Sequence, residues 1–383
     1  MKIAMVSTFP PQQCGIATYT YKLCAGITEV TSDSQELLVL CEQGGKPGES
    51  GLVCVPCFER GSDLSMGIVS AATKQGVQIA HFQHAPDIFG VGDAMLETLR
   101  KLKNVGVMTV VTLHTVFTRR SGLLERKPFM ASFHKKLGEV ADAIIVHTTS
   151  SARILEAHGV AQNKISVIAH GTDLSKPGDT AVGRRVLTVN ESNRTLLFFG
   201  FIHVQKNIQV LIKAMPKVIA KVPDAALIIA GKVSGGAWYN RMYLSYLQRL
   251  IKKRGLNESV KIIDSFIPNE NVEDIHAASE MVLLPHNQGY ASASGVVHGA
   301  MAMKMPMLCS KSPKFEEVAE KIDANLLVKT TDSHEWAQMI TRLLVDREYH
   351  ALISKRSANY ANETAWPVVG AQHIKLYQEV AGS

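Results

Sequence analysis

Thr195-Leu196-Leu197-Phe198-Phe199-Gly200-Phe201-Ile202-His203-Val204-Gln205-Lys206-Asn207 is the stretch on which the reading of this chain turns. An apolar run from Thr195 to Phe199 stops at Gly200, and Ile208 to Val222 then spaces its apolar residues as a helix does. Strand, loop and amphipathic helix in that order open a unit of parallel α/β sheet. The stretch is decisive because it repeats the N-terminus. There Lys2 to Ser7 is a strand run, Phe9-Pro10-Pro11-Gln12-Gln13-Cys14-Gly15 is a loop with one glycine, and Ile16 to Ile27 is a helix pattern. The alternation therefore starts twice. A chain of 383 residues is too long for one ordinary core and suits two α/β domains.

Outward from this stretch, the first half predicts strands at Glu36 to Leu40, Leu52 to Pro56, Gln78 to Gln83, Val107 to Leu113, Ala143 to Val146 and Ile165 to Ile168. Its further helices are Ala94 to Leu102, Lys127 to Ala141 and Ser150 to His158. The second half predicts strands at Ala226 to Ala230, Val260 to Ile263, Met281 to Pro285 and Pro306 to Cys309. Helices at Tyr239 to Arg254, Val272 to Ala278 and Gly295 to Met303 separate them. The join falls within Gly171 to Asn193, a polar stretch with Pro177, Gly178 and Gly183. The expected domains are 1–180 and 181–365, with a last helix, 366–383, crossing back onto the first after Trp366-Pro367. The fold class is α/β: two Rossmann-like doubly wound domains facing a central cleft, where strand tips of open sheets bind ligands.

Composition narrows the function classes. Hydrophobic residues at 46% and charged residues at 20% describe a soluble globular chain. No run of 18 apolar residues exists, and the apolar start ends at Pro10, too early for a signal peptide. Six cysteines in this length make no disulfide scaffold, so the expected setting is the reducing cytoplasm. Cys54-Val-Pro-Cys57 lacks the second pair that zinc needs and reads as small residues at a strand end. A net charge of +7 favours anionic ligands or peripheral contact with an anionic membrane at its inner face. The basic residues are dispersed and no reader motif occurs, which argues against nucleic acid. The densest cluster, Lys127, Lys135 and Lys136 with Arg119, Arg120 and Arg126, reads as a solvated face. Neither HExxH nor a DxD pair is present, so no metal is expected.

Three loci suggest chemistry. Gly15, at a helix start, lets backbone N–H groups approach a phosphate, and it serves equally as a turn residue. Lys206, in the loop before a helix at a strand end, is placed to neutralise a leaving diphosphate. In Tyr290-Ala291-Ser292-Ala293-Ser294-Gly295-Val296-Val297-His298-Gly299, Ser294 reads as an N-cap, and the amides of Ser294, Gly295 and Val296 suit the same diphosphate. The alternative is a small-residue helix packed on its sheet. Histidines also gather at first-half strand ends: His81, His84, His114 and His170. His114 closes a very apolar strand and can serve a sugar hydroxyl or acid–base work, while His170 before Gly171 reads as structural.

In order and spacing these motifs resemble family-4 retaining glycosyltransferases of GT-B fold. The resemblance runs through Cys14-Gly15-Ile16-Ala17-Thr18-Tyr19, His81-Phe82-Gln83-His84, Val111-Thr112-Leu113-His114-Thr115, Val146-His147-Thr148, Phe199-Gly200-Phe201 with Lys206-Asn207, and Ser294 to Pro306. It implies a nucleotide-diphospho-sugar donor held mainly on the second domain. It implies a carbohydrate or lipid-linked acceptor on the first, near His84 and Thr115. By resemblance Gly15 approaches the donor phosphate, His114 meets the donor sugar, Lys206 holds the diphosphate, and Gly231, Lys232, Ser265 and Phe266 lie where the base sits. The chain departs from the family at several positions. Phe201 or His203 stands where an Arg precedes the Lys, Ala85 replaces a Glu, and Ala291 and Gly299 replace two carboxylates. The second carboxylate holds the ribose, and His298 is the candidate substitute. The reading is glycosyl transfer; the alternatives are a degenerate, non-catalytic binding protein, and a phosphorylase or epimerase on the same fold.

Overall fold

A computed structural model describes all residues except 13, 32–35, 47–50, 118–126, 175–177, 235–237, 288–289 and 383, and also leaves aside the side chains of 127, 128 and 269. The basic residues 119, 120 and 126 singled out above lie outside the described residues. In chain order the first half is β1 (Lys2–Ser7), α1 (Gly15–Val30), β2 (Glu36–Glu42), β3 (Val53–Phe58), α2 (Leu64–Lys74), β4 (Ile79–His84), α3 (Pro86–Phe89), α4 (Asp93–Asn104), β5 (Met108–Leu113), β6 (Val116–Phe117), α5 (Lys127–Val140), β7 (Ala143–Val146), α6 (Thr149–Ala157) and β8 (Ile165–Val167). The second half is α7 (Thr180–Leu187), β9 (Arg194–Phe199), α8 (Gln209–Ile219), β10 (Ala225–Ala230), α9 (Trp238–Lys253), β11 (Val260–Ile263), α10 (Val272–Ala277), β12 (Met281–Leu284), β13 (Tyr290–Ala291), α11 (Gly295–Ala302), β14 (Met307–Ser310), α12 (Glu316–Lys321), β15 (Leu327–Val328), α13 (Ser333–Val345), α14 (Arg347–Glu363) and α15 (Trp366–Ala381).

Two units result: Met1–Gly171 with Gly289–Ala293 and Thr364–Ser383, and Thr172–Gln288 with Ser294–Glu363. The division falls at Gly171/Thr172, at the start of the expected join and nine residues before 180. Residues 178 to 187 are not a linker. Asp179 caps α7, accepting from the Ala181 and Val182 amides at 2.7 and 3.1 Å. Gly178 and Gly183 press against the backbone of Glu273 and Asp274, where a Cβ has no room. The glycines there mark close packing of α7 on α10, which composition alone does not distinguish from a loose connection.

In the first unit a seven-stranded parallel sheet runs β3-β2-β1-β4-β5-β7-β8. Successive residues of a strand face opposite sides. Ala4, Val6, Leu38, Leu40, Ala80 and Phe82 therefore join one core, and Ile3, Met5, Val39, Cys41 and Ile79 another. Burial on both faces explains why these strands read as continuous apolar runs. The second core is closed by α1 and α15. At their crossing, Gly26 and Gly370 meet backbone to backbone, and a Cβ on Gly370 would overlap the Gly26 carbonyl. The buried Tyr377 hydroxyl then reaches His81 Nδ1 at 2.6 Å, tying α15 to the sheet. Cys54 and Cys57 both lie within β3.

The second unit holds a six-stranded sheet in the order β11-β10-β9-β12-β14-β15, all parallel. Counted within each sheet, the first runs 3-2-1-4-5-6-7 and the second 3-2-1-4-5-6, the doubly wound order. The order reverses between β1 and β4 in one and between β9 and β12 in the other. Crevices beyond the carboxyl ends of such strand pairs bind ligands. Among the described residues no helix is long and apolar enough to cross a membrane.

Candidate active site

The switch point of the second sheet gathers the strongest chemistry. β9 ends at Phe199, and a short 3-10 turn, Val204–Lys206, follows. His203 caps that turn, its Nδ1 accepting from the Gln205 amide at 3.1 Å. The Gln205 carbonyl accepts from the Asn287 amide at 2.8 Å, which ties this turn to the loop after β12. The tie brings Lys206 Nζ to 3.4 Å from His286 Nε2. His286 is 2% exposed, its carbonyl accepts from the Ser310 hydroxyl, and Phe315 packs on its ring with centroids 5.2 Å apart. An ammonium only donates, so His286 Nε2 accepts and Nδ1 carries the hydrogen. That Nδ1 is buried with no hydrogen-bond partner among the described residues.

Burial lowers Lys206 to about 8. Lys314, one residue before Phe315, is lowered to about 7, first by burial and then by the charge of Lys206. His286 is held well below its ordinary value by burial and by both lysines. Desolvated cations of one sign at one strand edge favour an arriving anion, whose charge restores what solvent no longer supplies. Lys314 and His286 escaped the sequence reading. The signal that finds them is topological: each follows a strand of the same sheet at its carboxyl end.

A second pocket, about 300 Å³ in volume, lies beyond β10 and β11 and is lined by Lys232, Val233, Arg241, Asp264, Ser265 and Phe266. Asp264 Oδ1 accepts from the Val233 amide at 2.8 Å and so fixes the two loops against each other. Gly231 stands behind this pocket. Its φ is +148°, and a Cβ there would strike the Gly200 carbonyl. The structure thus brings Lys232, Ser265 and Phe266 together, adds Arg241, and gives Gly231 a packing role.

The α11 helix begins at Gly295, as the small-residue segment implies. Ser294 occupies the N-cap position but makes no side-chain capping bond, so its hydroxyl leaves the first-turn amides of α11 to another partner. His298 is placed otherwise than expected. It is 2% exposed, with Nδ1 at 2.7 Å from the Thr172 hydroxyl and Nε2 at 3.5 Å from Glu317. The helical period turns it inward, to a carboxylate that also accepts from the Tyr360 hydroxyl at 2.6 Å. A ring enclosed this way does not substitute for a ribose ligand.

In the first unit Gly15 begins α1, and a Cβ added to it meets nothing within 4 Å, so its backbone stands open. His84 is buried among Phe89 and Phe133 and donates from Nε2 to the Gly90 carbonyl at 2.8 Å. Burial lowers it to about 4. That removes His84 from the acceptor side: its one N–H holds a loop. Thr115 is half-buried just beyond β5.

His114 belongs to a relay. His147 Nδ1 lies 3.0 Å from the Ile168 carbonyl, which only accepts, so this nitrogen carries the hydrogen. His147 Nε2 lies 3.2 Å from His114 Nδ1. His114 is held well below its ordinary value by burial, then by His147 and His170, and is neutral. Its Nε2 lies 2.9 Å from the Gln83 carboxamide oxygen, which only accepts, so Nε2 carries the hydrogen and donates. Tyr19 packs edge-on to His114 with centroids 4.6 Å apart. Among the described residues no cluster of three or more His, Cys, Asp and Glu is set to hold a metal.

Known proteins share this organisation. The profile described as Glycosyltransferase Family 4 matches residues 15–176, and that described as Glycosyl transferases group 1 matches residues 180–360. D-inositol 3-phosphate glycosyltransferase of Thermobispora bispora is 24% identical over 284 residues, 72% of this chain and 65% of that protein. The enzyme of the same name from Nocardia farcinica is 26% identical over 271 residues, 68% of this chain and 58% of that protein. The chain thus spans less than two thirds of the length of these relatives. Among solved structures, HepE of Anabaena in complex with UDP has a TM-score of 0.79 at 16% identity, covering 99% of this chain and all of that one. Sucrose-phosphate synthase of Thermosynechococcus elongatus has a TM-score of 0.78 at 17% identity, covering all of both chains. With one profile over each sheet-bearing half and the same architecture in solved relatives, the chain belongs to the family-4 glycosyltransferases and has the GT-B fold.

Proposed function

We propose that the chain is a retaining, metal-independent glycosyltransferase that moves a sugar from a nucleotide-diphospho-sugar to a carbohydrate, lipid-linked or small-molecule acceptor. The observation that carries this reading is the pair of desolvated lysines, Lys206 and Lys314, beside His286 at the switch point of the second sheet. Charge builds on the leaving diphosphate as the glycosidic bond breaks, and preformed cations there stabilise the transition state more than the ground state. The anomeric carbon gains oxocarbenium character, and the acceptor hydroxyl attacks from the face the diphosphate leaves. Its proton passes to a departing phosphate oxygen, so no protein nucleophile is required. A sugar hydroxyl that displaces the Gln83 amide would accept from His114 Nε2. The pocket of Lys232, Arg241, Ser265 and Phe266 is assigned to the base. The six cysteines are all free thiols, which fits a cytoplasmic setting.

Calorimetric titration with a series of nucleoside diphosphates tests the reading, and no binding to any of them sinks it. UDP comes first, because HepE is described with UDP. D-inositol 3-phosphate is the first acceptor to try, because it is named in the relatives. The anomer of the product, read by NMR, tests retention, and added EDTA tests independence of metal. Ala291 and Gly299, where the family carries carboxylates, support a second reading: binding of a ligand without turnover. Release of nucleoside diphosphate from a matched donor excludes it.

A further inference from the structure

Helix α9 shows two faces of unlike chemistry. Asn240, Tyr243, Leu247 and Ile251 are buried on the second unit. On the outer side Trp238 is 72% exposed, Tyr239 44%, Met242 57% and Tyr246 41%. At ~100° per residue these four share one arc of about 100°. Arg249 and Lys253 lie on that arc, and Lys252 flanks it. Arg254 follows the last turn, and no Asp or Glu occurs from Trp238 to Arg254. Trp238 is the most exposed of the chain's three tryptophans by a wide margin; Trp336 is 0% exposed and Trp366 7%.

We propose that this face docks the protein on an anionic lipid bilayer, with Trp238, Met242 and Tyr246 seated at the headgroup boundary and Arg249, Lys252 and Lys253 against lipid phosphates. Amphipathic rings favour the boundary between water and acyl chains, and basic residues beside them are drawn to anionic lipid. The two features together select this occupant. A second copy of the chain would set like charges face to face, which is unfavourable. A soluble polyanion would use the basic residues and leave Trp238 and Met242 in water. The transferase reading needs none of these six residues, so the proposal stands or falls separately from it. It also gives the anionic-membrane contact that the net charge suggests a particular place, the outer face of α9.

The full chain is mixed with phosphatidylcholine vesicles with and without phosphatidylglycerol. Co-sedimentation only with the anionic vesicles is expected, weakening with salt. Tryptophan emission should shift to the blue on binding, and because the other two rings are already buried, the shift reports Trp238. The K252E/K253E variant should lower partitioning about tenfold or more, since each basic residue near such a surface contributes on the order of 1 kcal/mol. The W238S/M242S variant should lose the emission shift and bind more weakly. Circular dichroism and nucleotide binding, unchanged in both, show that the variants fold. Absence of co-sedimentation overturns the proposal. So does equal binding to neutral vesicles, binding unaffected by either variant, or binding with no change in emission, which would assign the contact to another face or to a soluble polyanion.

Discussion

Burial lowers the Lys206 ammonium to about 8 because a cation stripped of bulk water is costly to keep. The unfolded chain holds such a proton up to about 10.4, so from pH 7 to 10 the unfolded state binds more protons than the folded one. The sign follows: this lysine weakens the free fold at neutral pH, and the penalty is relieved as pH rises through 8. Lys206→Met should therefore raise the urea midpoint at pH 7 and flatten its climb toward pH 10. The same variant should weaken nucleoside diphosphate binding by roughly ten- to a hundredfold, the scale of a lost charge-assisted hydrogen bond. Affinity in the parent chain should fall as pH rises past 7 and 8, where Lys314 and Lys206 lose charge. Equal affinity of parent and variant, by calorimetry, removes Lys206 from the site. His298 makes the opposite case. Its contacts with Thr172 and Glu317 are internal, so His298→Ala should lower stability by about 2 kcal/mol while nucleotide affinity holds. A large loss of affinity without loss of stability would restore it as a ribose ligand. The place of Lys206 at a strand end was legible because it stands in a repeated strand–loop–helix unit; the inward turn of His298 was not, because helix phase decides it and the segment is apolar on all sides.

At the scale of elements, backbone contact sets the limits. The crossing of α1 and α15 leaves no space beyond the α-carbons of Gly26 and Gly370. Gly370→Val should force the helices apart and cost about 3 kcal/mol or more, since backbone cannot yield as a side chain does. A thermal melt in which this variant matches the parent would show the crossing to be looser than described. Gly231→Ala meets two penalties, a left-handed φ and the Gly200 carbonyl, with strain alone on the order of 1–3 kcal/mol. It should distort the loop beside the pocket of Lys232, Arg241, Ser265 and Phe266, so on the proposed reading nucleotide affinity falls with stability. The sequence predicted most strands within two residues, since a run buried on both faces is apolar throughout. It missed α2, and it left α13 and α14 unassigned. It also took the stretch containing α7 for a linker, because tight packing and loose turns both use glycine.

For the whole molecule, ligand binding and folding are linked. A nucleoside diphosphate at 100 times its Kd should stabilise the chain by roughly 2.7 kcal/mol. A thermal-shift series across UDP, GDP and ADP should therefore single out one nucleotide, and no shift with any would contradict the transferase reading. The sequence by itself determined that the chain is two parallel α/β units, because that conclusion rests on local periodicity written twice, at Lys2 to Ile27 and at Thr195 to Val222. It also determined that Lys206 and Gly15 stand at strand ends, which the strand–loop–helix order requires. Only the tertiary structure decided that His286 and Lys314 join Lys206, that His84 and His298 turn inward, and that His147 lies against His114. Those facts depend on which strands lie side by side and which face each helix buries. Neighbours in a sheet of order 3-2-1-4-5-6 are far apart in sequence, and no local pattern records them.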